Sequence, residues 1–250
     1  RWAPLVWFGF VLSGPGRPWL GAVRDHVLGV EIINGDAERL RFGGQVMKNV
    51  AGYDLSRLMV GAYGTLGLIL SVSVKVLPRP EVTRTLGVDL DALDAHARVV
   101  ELMRRPLPVT ATCYDQGRLR VRLAGSHESV LDAVESLEMD VEADTELWDR
   151  LRNHDHEFFR AADPLWRVSL PRGQHLAVEE GGGEVLREWG GSQVWWHAAS
   201  TPNVALADGG HMAAFRNVER GPEVSERSAY ADRLKTAFDP CDLFNRGLVV

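Results

Sequence analysis

Apolar and polar positions recur with a period of two along some stretches of the chain and with a helical period along others. Residues 27–33 (VLGVEII) form a β-branched apolar run, followed by Asn34-Gly35 and then by ERLRF, where Leu40 and Phe42 alternate with Arg39 and Arg41. This predicts two strands joined by a tight turn, because Asn-Gly readily takes the positive φ values such turns demand. In GGQVMKNVAGYDLSRLMVGAYGTLG, Asp54 stands where it can cap a short helix with Leu55, Leu58 and Met59 on its apolar side, ending near Gly61. From Leu68 to Leu77, Leu70, Val72, Val74 and Val76 alternate with Ser71, Ser73 and Lys75, which predicts a strand with one buried face. Pro78-Arg79-Pro80 then removes two backbone donors and fixes φ, marking a boundary between a domain of residues 1–80 and one of residues 81–250.

Beyond the prolines, Leu93, Ala97, Val100 and Met103 predict an amphipathic surface helix over 92–105. Residues 109–114 and 118–123 read as strands around Gln116-Gly117, and a helix capped by Ser126 is expected to bury Val130, Leu131, Val134 and Leu137. Residues 145–160 read as helical, and 165–170, 193–198 and 211–216 as strands. A last helix runs from about Glu226 to Phe238, with Tyr230, Leu234 and Phe238 in register and Asp239-Pro240 as its stop. The order predicts an α+β class, with an antiparallel sheet covered on one face. Gly181-Gly182-Gly183 is a flexible turn.

Composition narrows the function. Hydrophobic residues make up 45% and charged residues 25% of the 250, values of a folded globular protein. The net charge of −6 argues against a general polyanion binder, so nucleic acid is not expected as a partner. Cys113 and Cys241 lack metal-like spacing, which fits a reducing compartment and excludes a cysteine-based zinc site. The apolar run Pro4–Leu12 is shorter than the ~20 residues a membrane span needs. The chain starts at Arg1, and its Trp-rich first stretch reads as the interior of a domain, so an N-terminally truncated fragment is expected.

Gly61, Gly64 and Gly67 in GAYGTLG lie between a helix and a strand, the reverse of the strand-to-helix context of a dinucleotide fingerprint. What remains is a turn whose missing side chains let a flat ligand approach the backbone, with Thr65 adding a hydroxyl; glycine spacing alone favours a bulge or tight turn without ligand.

The block GGQVMKNVAGYDLSRLMVGAYGTLGLILSVSVKVLPRP resembles the signature of FAD-linked oxidases of the vanillyl-alcohol-oxidase type, and more closely the FAD-binding E subunit of bacterial glycolate oxidases. LSGPGRPWLGAVRDHVLGVEIINGDAERLRFGG upstream, and LRNHDHEFFRAADPLWRVSLP, GGHMAAFRN and LKTAFDPCDLFNRG downstream, resemble the same subunit. The resemblance implies the C-terminal part of a PCMH-type FAD-binding domain followed by an α+β cap domain with an antiparallel sheet and a closing helix.

It also implies FAD as cofactor, with Gly64, Thr65, Leu66, Gly67, Leu68 and Ile69 on the isoalloxazine or ribityl side. Ser13, Gly14 and Gly21 would approach the pyrophosphate or the ring, and Gly52 and Tyr53 would lie in the segment closing over the cofactor. The family's Gly-rich pyrophosphate loop has no counterpart here, so the isolated chain is expected to bind FAD weakly or not at all. The implied partners are a catalytic flavoprotein subunit, which oxidises glycolate to glyoxylate, and an iron-sulfur subunit. The implied location is cytoplasmic, peripheral to the inner membrane through the complex. A stand-alone FAD-dependent 2-hydroxy-acid dehydrogenase and a scaffold that has lost flavin are the alternatives.

Other candidates carry less. His211 sits where the related substrate-oxidising subunit has Gly-Glu-His-Gly, but the segment here is Gly-Gly-His-Met, so a structural role is favoured over a catalytic one. His154 and His156 point apart on a helix and read as a solvated face, and no metal site is expected. The Arg118, Arg120, Arg122 stripe reads as a solvated strand face, and Trp166, Trp195 and Trp196 as core or subunit interface.

Overall fold

The computed structural model describes residues 13–45, 53–178, 182–206, 208–217 and 229–246. The chain forms two compact units. The first comprises residues 1–13, 21–78 and 222–250, and the second residues 14–20 and 79–221. The main division falls between Pro78 and Arg79, at the proline break, while the short segment 14–20 belongs with the second unit and the closing helix with the first.

In chain order the elements are α1 (Arg17–Leu20), α2 (Val23–His26), β1 (Val27–Ile33), β2 (Arg39–Gly43), α3 (Leu55–Leu58) and β3 (Leu68–Val74). There follow β4 (Val82–Asp89), α4 (Ala92–Arg104), β5 (Val109–Asp115), β6 (Arg118–Gly125), α5 (His127–Leu137), β7 (Asp140–Val141) and α6 (Leu147–Asn153). The last are β8 (Leu165–Ser169), β9 (Val185–Glu188), β10 (Gln193–His197), β11 (His211–Arg216) and α7 (Ala229–Phe238). The first unit holds a three-stranded sheet in the order β2-β1-β3, and the second an eight-stranded sheet in the order β11-β8-β10-β9-β5-β6-β4-β7. Every pairing is antiparallel, in keeping with the α+β expectation.

In the first unit β1 is central and buried, and Val27, Val30 and Ile32 pack with Met59, Ala62, Leu66 and Phe238. The hairpin at Asn34-Gly35 forms, with a longer loop than the dipeptide suggests. Asn34 Oδ1 accepts from the amides of Asp36 and Glu38, and the positive φ falls on Ala37. Gly35 is needed for another reason, since a Cβ there would lie 2.5 Å from Asp239 Oδ1.

Strand β3 departs from its predicted face. Its pairing with β1 shifts between Ile69 and Ser71, opposite Glu31 and Ile32, so Ile69 and Val72 face the core while Leu70, Val74 and Val76 are exposed. A bulge adds one residue and reverses the alternation, a step the period-two reading has no means to register.

In the second unit alternate strand residues feed three clusters, one of which gathers Trp166, Val168, Val194 and Trp196 on β8 and β10. Leu86, Leu119, Val121 and Leu123 meet Ala95, Val99 and Leu102 of α4 and Val130, Ala133 and Leu137 of α5. Ala111, Cys113, Leu165, Leu186 and Trp195 meet Leu147, Trp148 and Leu151 of α6 and Phe158 and Phe159 of the 3-10 turn Glu157–Arg160. The sheet is therefore covered on both faces, where one was expected. Each fully buried leucine contributes about 1.5–3 kcal/mol of apolar transfer free energy, so filling both faces is the larger gain.

Helix α4 buries Ala95, Val99 and Leu102, while Leu93 of the expected apolar row is exposed. Both rows have helical spacing, and the sheet selects the one beneath it. Likewise Leu131 of α5 is exposed and Ala133 buried. The predicted helix 145–160 breaks at His154, which adopts a left-handed φ of 59° and starts a 3-10 turn two residues on. Asp91 and Ser126 cap α4 and α5 through side-chain acceptors, the latter as anticipated. Strands β4, β7 and β9 were not anticipated.

Candidate functional site

The turn between α3 and β3 concentrates the residues that the sequence singles out. Asp54 accepts from the Arg57 amide at 3.2 Å and starts α3, as predicted. After Met59 the chain reverses through positive φ values at Gly61 (82°), Tyr63 (51°), Gly64 (66°) and Gly67 (153°). Gly67 also admits no side chain, since a Cβ would lie 2.7 Å from the carbonyl oxygen of Ile33, the last residue of β1.

Thr65 is fully buried and its hydroxyl donates to the Ala62 carbonyl at 2.6 Å, so the hydroxyl is committed to the turn. Leu66 is buried in the core of the first unit. Among the described residues the backbone amides of Gly64 and Leu66 have no hydrogen-bond acceptor. Gly64, Thr65, Leu66, Gly67, Leu68 and Ile69 thus form one continuous edge. Its side chains at Leu66 and Ile69 hold it to the core, while Leu68 is exposed.

What fixes this turn comes from the other end of the sequence. Lys235 Nζ on α7 donates to the Thr65 carbonyl at 3.0 Å and to the Phe244 carbonyl at 2.7 Å, and it pairs with Asp239. Asp239 in turn accepts from the amides of Leu243 at 2.9 Å and Phe244 at 2.8 Å. Asn245 donates to the Tyr63 carbonyl. These residues were missed in the sequence; the Lys235–Asp239 spacing of four across a helix end is the signal that could have found them.

The remaining sequence candidates are scattered. Tyr53 is 95% exposed, just before the α3 cap, and Gly52 lies outside the described residues. Ser13 Oγ is buried with no partner among the described residues. Gly14 belongs to the second unit, where its carbonyl accepts from the Trp189 indole at 3.1 Å. Gly21 is exposed with φ of 87°, beside the Ala22 amide that Asp25 accepts at 2.8 Å.

The first unit also has a recess of about 440 Å³ on the polar face of its sheet, lined by Gly29, Glu31, Arg41, Gly43, Ser71 and Ser73. Glu31 accepts from Arg39 Nε at 2.8 Å, and that bond, with the charges of Arg39 and Arg41, holds its carboxyl below the usual range.

In the second unit three readings are corrected or refined. His154 and His156 are not a solvated face. His154 stacks on Phe159 at 4.3 Å and meets Trp195 edge-on at 5.0 Å, and burial, followed by the charges of Arg216 and Arg167, pushes its pKa down to about 4. His156 is buried at the head of the 3-10 turn. The arginine stripe is engaged: Arg118 pairs with Asp89 at 2.8 Å and Glu142 at 2.7 Å, and Arg122 donates to Thr110 and lies over Trp148. His211 is exposed at the start of β11, opposite Ser169, with no side-chain partner among the described residues to orient it as a base. Trp166, Trp195 and Trp196 are core residues.

No family model matches the chain. It is 42% identical to the glycolate oxidase subunit GlcE of Escherichia coli over 251 residues, covering 97% of this chain and 71% of that protein. It is 40% identical to the glycolate oxidase subunit GlcD of Bacillus subtilis over 103 residues, covering 40% of this chain and 22% of that protein. It is 33% identical to the D-lactate dehydrogenase of Archaeoglobus fulgidus over 90 residues, 36% of this chain and 20% of that one. Among solved structures, an alkyldihydroxyacetonephosphate synthase matches with a TM-score of 0.55 and 13% identity, over 96% of this chain and 55% of that one. The chain thus spans about half the length of that solved relative, and the likeness is one of fold.

Proposed function

The chain belongs to the family of the glycolate oxidase subunit GlcE, and on that premise we propose that it is the FAD-binding subunit of a complex that oxidises glycolate to glyoxylate. The observation that carries the reading to particular residues is the turn 61–67, a chain reversal whose Gly64 and Leu66 amides have no acceptor among the described residues. Backbone donors left unpaired in a folded domain call for an acceptor, and the polar edge of a flavin ring is one. The fit is therefore favourable on the ring side.

In this reading Gly64, Thr65, Leu66, Gly67, Leu68 and Ile69 hold the isoalloxazine or ribityl side, with Ser13, Gly14, Gly21, Gly52 and Tyr53 as further contacts. The orphaned Ser13 hydroxyl supports its place in that set, whereas the Gly14 carbonyl is already committed to Trp189. Bound FAD supplies the two-electron acceptor chemistry that side chains lack. The chain's own residues position and insulate: Leu66 and Ile69 anchor the edge in apolar packing, and Lys235 keeps the turn from opening.

His211, exposed and unoriented, is not used as a base. Proton removal from the 2-hydroxy acid is assigned to the catalytic flavoprotein partner, and onward electron transfer to an iron-sulfur partner. Among the described residues no helix is long and apolar enough to cross a membrane.

The test is flavin content. Co-expressed with its two partner subunits, the chain is expected to add one FAD to the purified complex, and Gly64→Val, in a complex that still assembles, to remove it. A complex whose flavin content is the same with and without this chain overturns the reading.

A further inference from the structure

Asp115 ends β5, immediately before the Gln116-Gly117 turn, and is only 2% exposed. Its Oδ1 is buried and, among the described residues, accepts no hydrogen bond, although a buried carboxylate oxygen without a partner costs on the order of 1–3 kcal/mol or more. His156, 6% exposed, stands at the head of the 3-10 turn that covers this face of the sheet, followed by the exposed Glu157. One ligand atom from each of Asp115, His156 and Glu157 lies within 4.8 Å of the other two.

We propose that Asp115, His156 and Glu157 form a binding site for one divalent transition-metal cation, joining the end of β5 to the turn that covers it. The convergence of three ligand atoms and the orphaned oxygen of Asp115 are separate observations, and a cation at their centre satisfies both. An imidazole with two carboxylates and no thiolate suits Zn²⁺, Mn²⁺ or Fe²⁺, whereas Mg²⁺ and Ca²⁺ favour all-oxygen sets and Cu⁺ favours sulfur.

Ligands around tetrahedral Zn²⁺ lie about 3.3 Å apart at bond lengths of about 2.0–2.2 Å, so the triad must contract modestly. Glu157, being exposed, can supply that movement. His156 Nδ1 is 3.4 Å from the Phe158 amide, a contact at the outer limit of a hydrogen bond and easily exchanged for a metal bond. The charge of Arg120 opposes a cation near Asp115 and that of Glu184 favours it, which sets an expectation of moderate rather than tight binding. Three protein ligands leave a position for water.

The test uses the full chain carrying Cys241→Ser, which removes the exposed thiol as a competing ligand. After dialysis against EDTA, calorimetric titration with ZnCl₂ is expected to show one bound equivalent and a rise in thermal midpoint. Asp115→Asn and His156→Gln should each weaken binding at least tenfold. Because those two positions are buried, Glu157→Gln serves as the variant that keeps the parent fold by circular dichroism, and it should weaken binding by a similar factor. Absence of a stoichiometric equivalent, or full affinity in Glu157→Gln, overturns the proposal.

Discussion

Lys235 Nζ donates to the carbonyl oxygen of Thr65 at 3.0 Å, bridging 170 residues of sequence. The glycine turn and the closing helix are therefore one construction, in which an ammonium group largely shielded from water gathers the Thr65 and Phe244 carbonyls and the Asp239 carboxylate. Hydrogen bonds to a charged group are worth more than neutral ones, and removing the charge leaves its acceptors without a donor.

Lys235→Met is accordingly expected to lower stability by about 2–3 kcal/mol. Urea unfolding followed by circular dichroism measures this, and a midpoint unchanged from the parent would show that the bridge carries no net stability.

Gly67 and Gly44 provide a matched pair. A Cβ at Gly67 meets the Ile33 carbonyl at 2.7 Å with φ at 153°, whereas at Gly44 nothing lies within 4 Å. Gly67→Ala should cost about 1–3 kcal/mol, and Gly44→Ala should remain within about 0.5 kcal/mol of the parent. Equal thermal midpoints for the two variants would contradict the close approach at the turn.

In the second unit, the Trp148 indole donates to the Thr85 hydroxyl at 2.8 Å inside the core. Thr85→Val keeps the shape but strands a buried N–H, at a cost of about 1–3 kcal/mol. The double variant Thr85→Val with Trp148→Phe should recover part of that loss. Strict additivity in a double-mutant cycle would mean that the bond contributes nothing.

Glu188 is buried beside Trp195, which donates to its Oε2 at 2.8 Å, and burial pushes its pKa up to about 7. Below the ordinary value near 4.5 the folded and unfolded chains both hold the proton. Between about 4.5 and 7 the unfolded chain releases it first, so this residue's contribution to stability is lost as pH rises through that window, by about 3 kcal/mol. Glu188→Gln should flatten the fall in stability between about pH 4.5 and pH 7, with the variant gaining on the parent at the upper end. Parallel pH profiles for the two proteins would refute the assignment.

Much of this was legible in the chain itself. The strand of residues 27–33, the Asp54 and Ser126 caps and the Gln116-Gly117 hairpin turn rest on local backbone preferences, and each formed as expected. The family resemblance was carried by contiguous blocks, so it too was open to reading before any fold was known. The faces of β3 and α4 were not, because a bulge and a choice between two apolar rows depend on the partner surface. Nor was the enclosure of the half-buried His154 and the buried His156, where a helix expected to continue stops at one left-handed residue and turns both imidazoles inward.

The amino-acid order by itself determined the α+β class and the glycine turn set between a helix and a strand, because these follow from residue types only a few positions apart. The tertiary structure alone decided that Lys235 pins Thr65, that Gly35 makes room for Asp239, and that Asp115 meets His156 and Glu157. Each of those contacts joins groups distant in sequence. No periodicity encodes them, and they exist only once apolar burial has brought the elements together.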